Sequence, residues 1–316
     1  MGVVHQTIED AVGRRGLAVQ REGVEPLLLH PEDVVEAVVE LRRAGGQGGG
    51  ALARFKAPKP MPGSTCAPRE DSFAMTYGAT LYPSTVWPAI ESPRLLVSGA
   101  NNPKTGKRIT KGLWAGMPIY TLTLEERASC PSYCHMWRDC YGNGMHLARR
   151  HRMGLDFELR LMGELRAKAA EHSRGFAVRL HILGDFYRAA YVEAWRRMLA
   201  ELPLLHVFGY SRREPGGYDG EVFDMLELVK AEFPTRFRVR FSRPEPVPDG
   251  TVVLQRAADA SKGTIVCPAQ VEATATCGTC GLCWAPASVV PTIGFVQHGR
   301  VRPYERRKAA ARLEDA

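Results

Sequence analysis

The stretch FAVRLHILGDFYRAAYVEAWRRMLAELPLLHVFGYS, residues 176–211, decides the reading of the fold. Its first part, Phe176–Leu183, alternates as a strand. Val178, Leu180 and Ile182 fall on one face, and Arg179, His181 and Leu183 fall on the other. Gly184-Asp185 closes the strand. Ala189–Ala200 then carries helical periodicity, with Trp195 and Met198 read as core, and Leu204–Tyr210 returns to a strand. A strand, a helix and a second strand in so few residues describe a right-handed parallel crossover.

The same alternation extends outward. A helix over Leu155–Glu171 precedes this unit, and a helix over Glu221–Phe233 and a strand over Phe237–Phe241 follow it. Arg94–Ser98 and Pro118–Leu124 read as earlier strands; Thr251–Gln255, Thr264–Val266 and Thr292–Val296 read as later ones. The pattern predicts an α/β fold, a parallel sheet or a partial (β/α) barrel, with functional loops at the strand C-termini.

Upstream, residues 1–57 read as an N-terminal extension. His30-Pro31-Glu32-Asp33 opens a helix with an apolar stripe of Val34, Val35, Val38, Val39 and Leu41, and Ala44–Gly50 is a glycine-rich linker. Residues 58–93 are proline-rich and predict an irregular segment wrapping the main domain. Residues 94–300 form the α/β domain and 301–316 a basic tail.

Of the 316 residues, 45% are hydrophobic and 24% charged, which excludes wholesale disorder and collagen-like repeats. No apolar run reaches the roughly 18 residues of a membrane helix, and the first residues lack a secretory h-region, so a soluble cytosolic protein is expected. Forty-two basic against 34 acidic residues leave a net charge of +8. Between Arg94 and Leu124 stand Arg94, Lys104, Lys107, Arg108 and Lys111 with no acid among them, a pattern open to a polyanionic partner or to a solvated surface.

Eight cysteines carry the chemistry. In a reducing compartment, clustered cysteines indicate metal ligands rather than disulfides. Cys130, Cys134 and Cys140 lie within eleven residues, just after a predicted strand. Three thiolates leave one position open on a metal or on one iron of a cubane; His135 or the distant Cys66 would close it. Cys267-Pro268 is followed by Cys277-x-x-Cys280-x-x-Cys283, the ingredients of a closed four-thiolate site. Two [4Fe–4S] clusters are the economical reading, and zinc is the structural alternative.

The polar face of the 176–183 strand points to a pocket, because buried Arg179 and His181 need partners. Arg236–Ser242 repeats the pattern, with Arg238, Arg240 and Ser242 opposite Phe237, Val239 and Phe241, a set suited to a carboxylate, a phosphate or a cluster-bound anion. The tip at Tyr210-Ser211-Arg212-Arg213 adds to it.

Together these motifs carry a resemblance. Asn102–Lys107, the Cys130…Cys134…Cys140-Tyr141 run, Arg179–Tyr187, Tyr191…Trp195, Phe208–Ser211 and the closing cysteine triplet are similar to the phage-associated gene product 88 family, over roughly residues 100–285. At longer range the layout resembles radical S-adenosylmethionine enzymes, although the cysteine spacing is three-then-five rather than three-then-two. That resemblance implies a partial barrel of the radical SAM type and a three-cysteine open cluster that chelates S-adenosylmethionine. The four remaining cysteines would be an auxiliary cluster. It places Gly184 and Asp185 at the cofactor amine; the strand faces add Tyr210, Arg240 and Ser242 as cofactor-binding candidates, and Arg179, His181 and Asp185 are the catalytic candidates. A nucleotide or nucleic acid is the expected substrate and an electron donor the expected partner, in the host cytoplasm if the chain is phage-encoded. A zinc-stabilised nucleic-acid-binding protein without catalysis is the rival expectation.

Overall fold

A computed structural model describes residues 78–286 and 292–297. Expectations for residues 1–77, including Cys66, and for 301–316 lie outside the described residues. In chain order the strands are β1 (Val86–Trp87), β2 (Val97–Ser98), β3 (Ile119–Thr121), β4 (Arg150–His151), β5 (Phe176–Arg179), β6 (Leu205–Ser211), β7 (Phe237–Arg243), β8 (Gly250–Leu254), β9 (Thr264–Val266) and β10 (Thr292–Val296). The helices are α1 (Leu155–Glu171), α2 (Ala189–Glu201), α3 (Gly220–Glu232) and the single turn α4 (Cys277–Cys280).

Eight strands form one sheet in the order β2-β3-β5-β6-β7-β8-β10-β9. β2 runs antiparallel to β3 and every other neighbouring pair is parallel. This is an α/β fold with a largely parallel mixed sheet alternating with helices. Among the described residues no helix is long and apolar enough to cross a membrane.

Side-chain alternation along the strands builds two cores, one on each face of the sheet. Phe176, Val178, Val207, Phe237 and Val239 face the helices and pack against Leu161, Trp195, Leu199, Leu226 and Val229. Ala177, Phe208 and Ile293 face the other way, onto Trp114, Cys283 and Trp284. Trp114 stacks on Trp284 at 5.4 Å with 9° between the rings, and Phe208 meets Trp284 edge-on at 4.8 Å. The C-terminal cysteine segment therefore packs on the sheet face opposite the helices.

The predicted helix Leu155–Glu171 is observed with the same ends. Three strands are shorter than their patterns. The strand at Arg94–Ser98 starts only at Val97, because the Glu164 carboxylate of α1 takes the amides of Leu95 and Leu96 at 2.8–2.9 Å. The strand at Pro118–Leu124 stops at Thr121. The strand at Phe176–Leu183 stops at Arg179, and the chain turns at Gly184, whose φ is +90°. The parallel pairing of β1 with β4 was not foreseen; two-residue strands have no period to read. The described part of the proline-rich segment, residues 78–93, includes strand β1. It holds two short 3-10 turns, Pro83–Thr85 and Ala89–Glu91, with Ala89 buried in the helix-side core.

Candidate metal centre

A cavity of about 530 Å³ lies at the C-terminal ends of the parallel strands. Its walls take Arg179 from β5, Tyr210 and Ser211 from β6, Ser242 from β7, Thr251 and Val253 from β8 and Phe295 from β10. Six cysteines line the same space: Cys130, Cys134 and Cys140 from the loop after β3, and Cys267, Cys277 and Cys283 from the C-terminal segment. Two stretches more than a hundred residues apart thus meet across one cavity. All seven described cysteines are free thiols. Cys280 is not part of the wall.

The first three thiols sit in a loop of tight turns, with Cys134 N donating to Pro131 O at 3.0 Å, Trp137 N to Cys134 O at 2.9 Å and Asn143 N to Cys140 O at 2.9 Å. Burial, then the charges of Asp185, Cys134 and Cys140, pushes the Cys130 thiol well above its ordinary range. Burial pushes Cys134 up to about 11 and raises Cys140 too. These three half-buried thiols lie in mutual electrostatic range, with Arg212 acting on Cys134 and Arg127 and Arg150 on Cys140; the net shift is still upward for all three, and a bound metal would favour their thiolates.

The second group is built around α4. Thr276 caps it, its Oγ1 accepting from Thr279 N at 3.2 Å. The basic segment docks against it largely by backbone: Cys277 N donates to Lys104 O at 2.7 Å, Gly278 N to Thr105 O at 3.1 Å, and Thr110 N to Gly278 O at 3.0 Å, with the Thr110 hydroxyl donating to the same carbonyl at 3.3 Å. A Cβ at Gly278 would lie 2.3 Å from the Arg108 carbonyl oxygen, so only glycine permits this approach. A hydrogen bond from Cys283, then the charge of Arg179, lowers Cys277 against its burial, whereas that same bond and burial push Cys283 well up. The Tyr210 hydroxyl donates to Cys283 Sγ at 2.8 Å. Cys267 follows β9, its amide held by Gly294 O at 2.8 Å, and lies in electrostatic range of Cys280 and Cys283.

Of the residues expected at the site, Arg179, His181, Gly184, Asp185, Tyr210 and Ser242 line the cavity. Arg240 does not. It pairs with Asp249 at 3.2 Å and donates to Ala285 O at 2.8 Å, so it anchors the segment after Cys283. His181 is not on the Arg179 face of a strand, because β5 has already ended. Its Nε2 meets the Tyr191 hydroxyl at 3.0 Å and its ring lies edge-on to Phe186 at 4.9 Å. Burial, then Arg179, lowers His181 to about 3, so the ring is neutral. Its Nδ1 is buried without a partner among the described residues.

Asp185 is a brace. Its Oδ1 accepts from Phe186 N and its Oδ2 from Arg212 N, each at 2.7 Å, tying the loop after β5 to the end of β6. A Cβ at Gly184 would lie 2.6 Å from both Leu124 Cβ and Ser129 Oγ, which presses that loop onto the root of the cysteine loop. His135 does not line the cavity; its Nδ1 accepts from Arg212 Nε at 3.1 Å.

The pattern of the sequence missed the groups that hold the cysteine loop. Arg150, fully buried, pairs with buried Glu126 through Nε–Oε2 at 2.5 Å and Nη2–Oε1 at 3.0 Å. It also donates to the carbonyls of Gly142, Met145 and Ala148. Arg213 donates to Ser129 O at 2.8 Å and pairs with Asp219. Charged residues at such distances carry no periodic signal.

The donor set fits a sulfur-ligated metal or cluster: soft thiols, unbridged, gathered from both cysteine groups on one cavity wall. Among the described residues no three His, Cys, Asp or Glu side chains stand together as a site for a single ion. No protein-family model, curated protein or solved structure matches this chain.

Proposed function

We propose that this chain is an iron–sulfur enzyme of the radical SAM type, its parallel sheet forming a partial barrel around the cavity. One observation carries the reading: both cysteine groups line a single cavity at the C-terminal edge of the sheet. Cys130, Cys134 and Cys140 hold an open [4Fe–4S] cluster; Cys267, Cys277, Cys280 and Cys283 hold a closed one. Such clusters supply one-electron transfer and, where an iron lacks a protein ligand, a coordination position for a small molecule such as S-adenosylmethionine. The chain's own contribution is to hold the thiolates, exclude water and shape the wall. Gly184 and Asp185 present the loop that abuts the first group, Tyr210 and Ser242 form the floor, and neutral His181 offers a hydrogen-bonding nitrogen rather than a charge. An electron donor is the partner this requires, and a nucleotide or nucleic acid is the substrate class suited to the basic balance.

A second reading rests on the docking of the basic segment. Because Cys277 and Gly278 bond directly to the backbone of Lys104 and Thr105, a metal at the second group braces a run of lysines and arginines. A zinc-stabilised nucleic-acid binder without catalysis would use that brace, and its affinity would fall steeply with salt.

Metal analysis separates the two. Anaerobically purified protein is expected to contain iron and acid-labile sulfide, with two paramagnetic signals on reduction. Cys134→Ala should remove one signal and spare the other. Zinc without sulfide overturns the iron–sulfur reading, and loss of both signals from a folded Cys134→Ala protein overturns the division into three and four.

A further inference from the structure

We propose that Arg179 is the anchor for an oxyanion, a phosphate or carboxylate group of a small ligand, held between the two cysteine groups. The inference takes the substrate class of the site proposed above and rests on that reading for the reaction, but not for the binding.

Other arginines withdrawn wholly or partly from water in this chain have partners. Arg150 pairs with Glu126, Arg213 with Asp219 and Arg240 with Asp249. Arg236 has no acid and spends one nitrogen on three backbone carbonyls, those of Leu199, Leu202 and Leu205. Arg179 is in no ion pair among the described residues. Its one hydrogen bond there is from Nη1 to the neighbouring Leu180 carbonyl. The guanidinium lies 4.5 Å from the centre of the Tyr210 ring and 5.8 Å from that of Phe208, which fixes its plane without neutralising it. The guanidinium is half-buried at the cavity wall and no carboxylate among the described residues faces it, so its planar fork of N–H groups is presented to the cavity and matches a two-oxygen anion.

Its position indicates what the anion belongs to. Arg179 lines the cavity and lies in electrostatic range of Tyr141, which follows Cys140, and of Cys277 and Cys283. It therefore stands beside the second thiol group and Tyr141, on a cavity that the first group also lines. The cavity's two acids are already engaged, Glu126 by Arg150 and Asp185 by two backbone amides, so neither competes for it. Lys104, Arg127 and Arg212 are further cations of the same lining. Ile182, Leu183, Val253 and Phe295 give the remaining wall an apolar character. The ligand that fits is an anion with an apolar or planar body, and the cavity volume of about 530 Å³ is in the range of small-molecule sites.

The test titrates the full-length protein, purified anaerobically with its metal, with inorganic phosphate in one arm and succinate in the other, read by calorimetry. Saturable binding in at least one arm is expected, and the arm that binds identifies the phosphate or carboxylate source. Arg179→Gln should weaken it by about tenfold or more, the loss of a charge-assisted pair of hydrogen bonds, with iron content unchanged. Lys104→Gln should weaken it less. If Arg179→Gln does not fold, Arg179→Lys decides, since a point charge without the fork should bind more weakly than wild type. Wild-type affinity in the substituted protein, or no binding in either arm up to tens of millimolar, overturns the proposal. So does loss of iron with anion affinity retained, which would assign Arg179 to the thiolates. Arg179-dependent anion binding in a protein that holds no iron leaves this site standing and removes the redox reading.

Discussion

Replacing Arg150 by Met tests whether the cysteine loop is held by buried charge. In the native chain this guanidinium is fully buried, grips both oxygens of Glu126 and satisfies three carbonyls of the loop that follows Cys140. Arg150→Met strands a buried carboxylate, a loss of about 3–5 kcal/mol. Thr80 Oγ1 still donates to Glu126 at 2.6 Å and Arg127 remains 3.9 Å away, which places the cost near the lower end. At a slope of about 2–3 kcal/mol per molar, the urea midpoint should fall by about 1–2 M. Glu126→Met with Arg150→Met removes both charges and keeps apolar volume; it should be no less stable than Arg150→Met alone, giving a coupling of about 2–3 kcal/mol. Far-UV circular dichroism during urea unfolding of the four proteins measures the cycle. A midpoint shift in the single variant below about 0.3 M, or a double variant whose loss equals the sum of the singles, would refute the reasoning. Metal content adds a readout of the proposed function, since Cys140 belongs to the loop that Arg150 clamps: on the proposed reading, the first group should lose metal before the second.

Two further outcomes follow from the packing. Gly184→Ala should destabilise by about 2–5 kcal/mol, combining a left-handed φ with overpacking on Leu124 and Ser129; a thermal-melt loss under about 1 kcal/mol would mean the two loops can separate freely. His151 is held down to about 4 by burial, then by the charge of Arg149, against an ordinary value near 6.5. The unfolded chain therefore gains a proton first as pH falls. The stabilisation is complete above pH 6.5 and is lost toward pH 4, at about 1.4 kcal/mol per unit. Between pH 7 and 5 the wild type should lose about 2 kcal/mol more than His151→Gln in urea unfolding, and equal losses would contradict the buried neutral ring.

Much of the fold is legible because it repeats. Leu155–Glu171 and Ala189–Glu201 have long apolar periods, and the strands between them alternate, so their existence and order follow from local pattern. Their ends do not, because competing partners decide them: the Glu164 carboxylate removes two residues from β2, and the turn at Gly184 removes His181 from β5. The cysteine spacings are legible in the same way, as is the polar character of Arg179. Arg240, which the cavity lining does not include, shows the limit. Its alternation with Val239 is real, yet Asp249 and the Ala285 carbonyl claim it.

Residue types and short spacings, which are properties of neighbours along the chain, already determine an alternating α/β domain with two thiol-rich segments. Only the tertiary structure decides that these segments share one cavity, that Glu126 and Arg150 hold one of them, and that Arg179 faces the space between without an acid. Those facts depend on which distant groups meet when the sheet is assembled, and long-range pairing of charges leaves no periodic trace in the order of the residues.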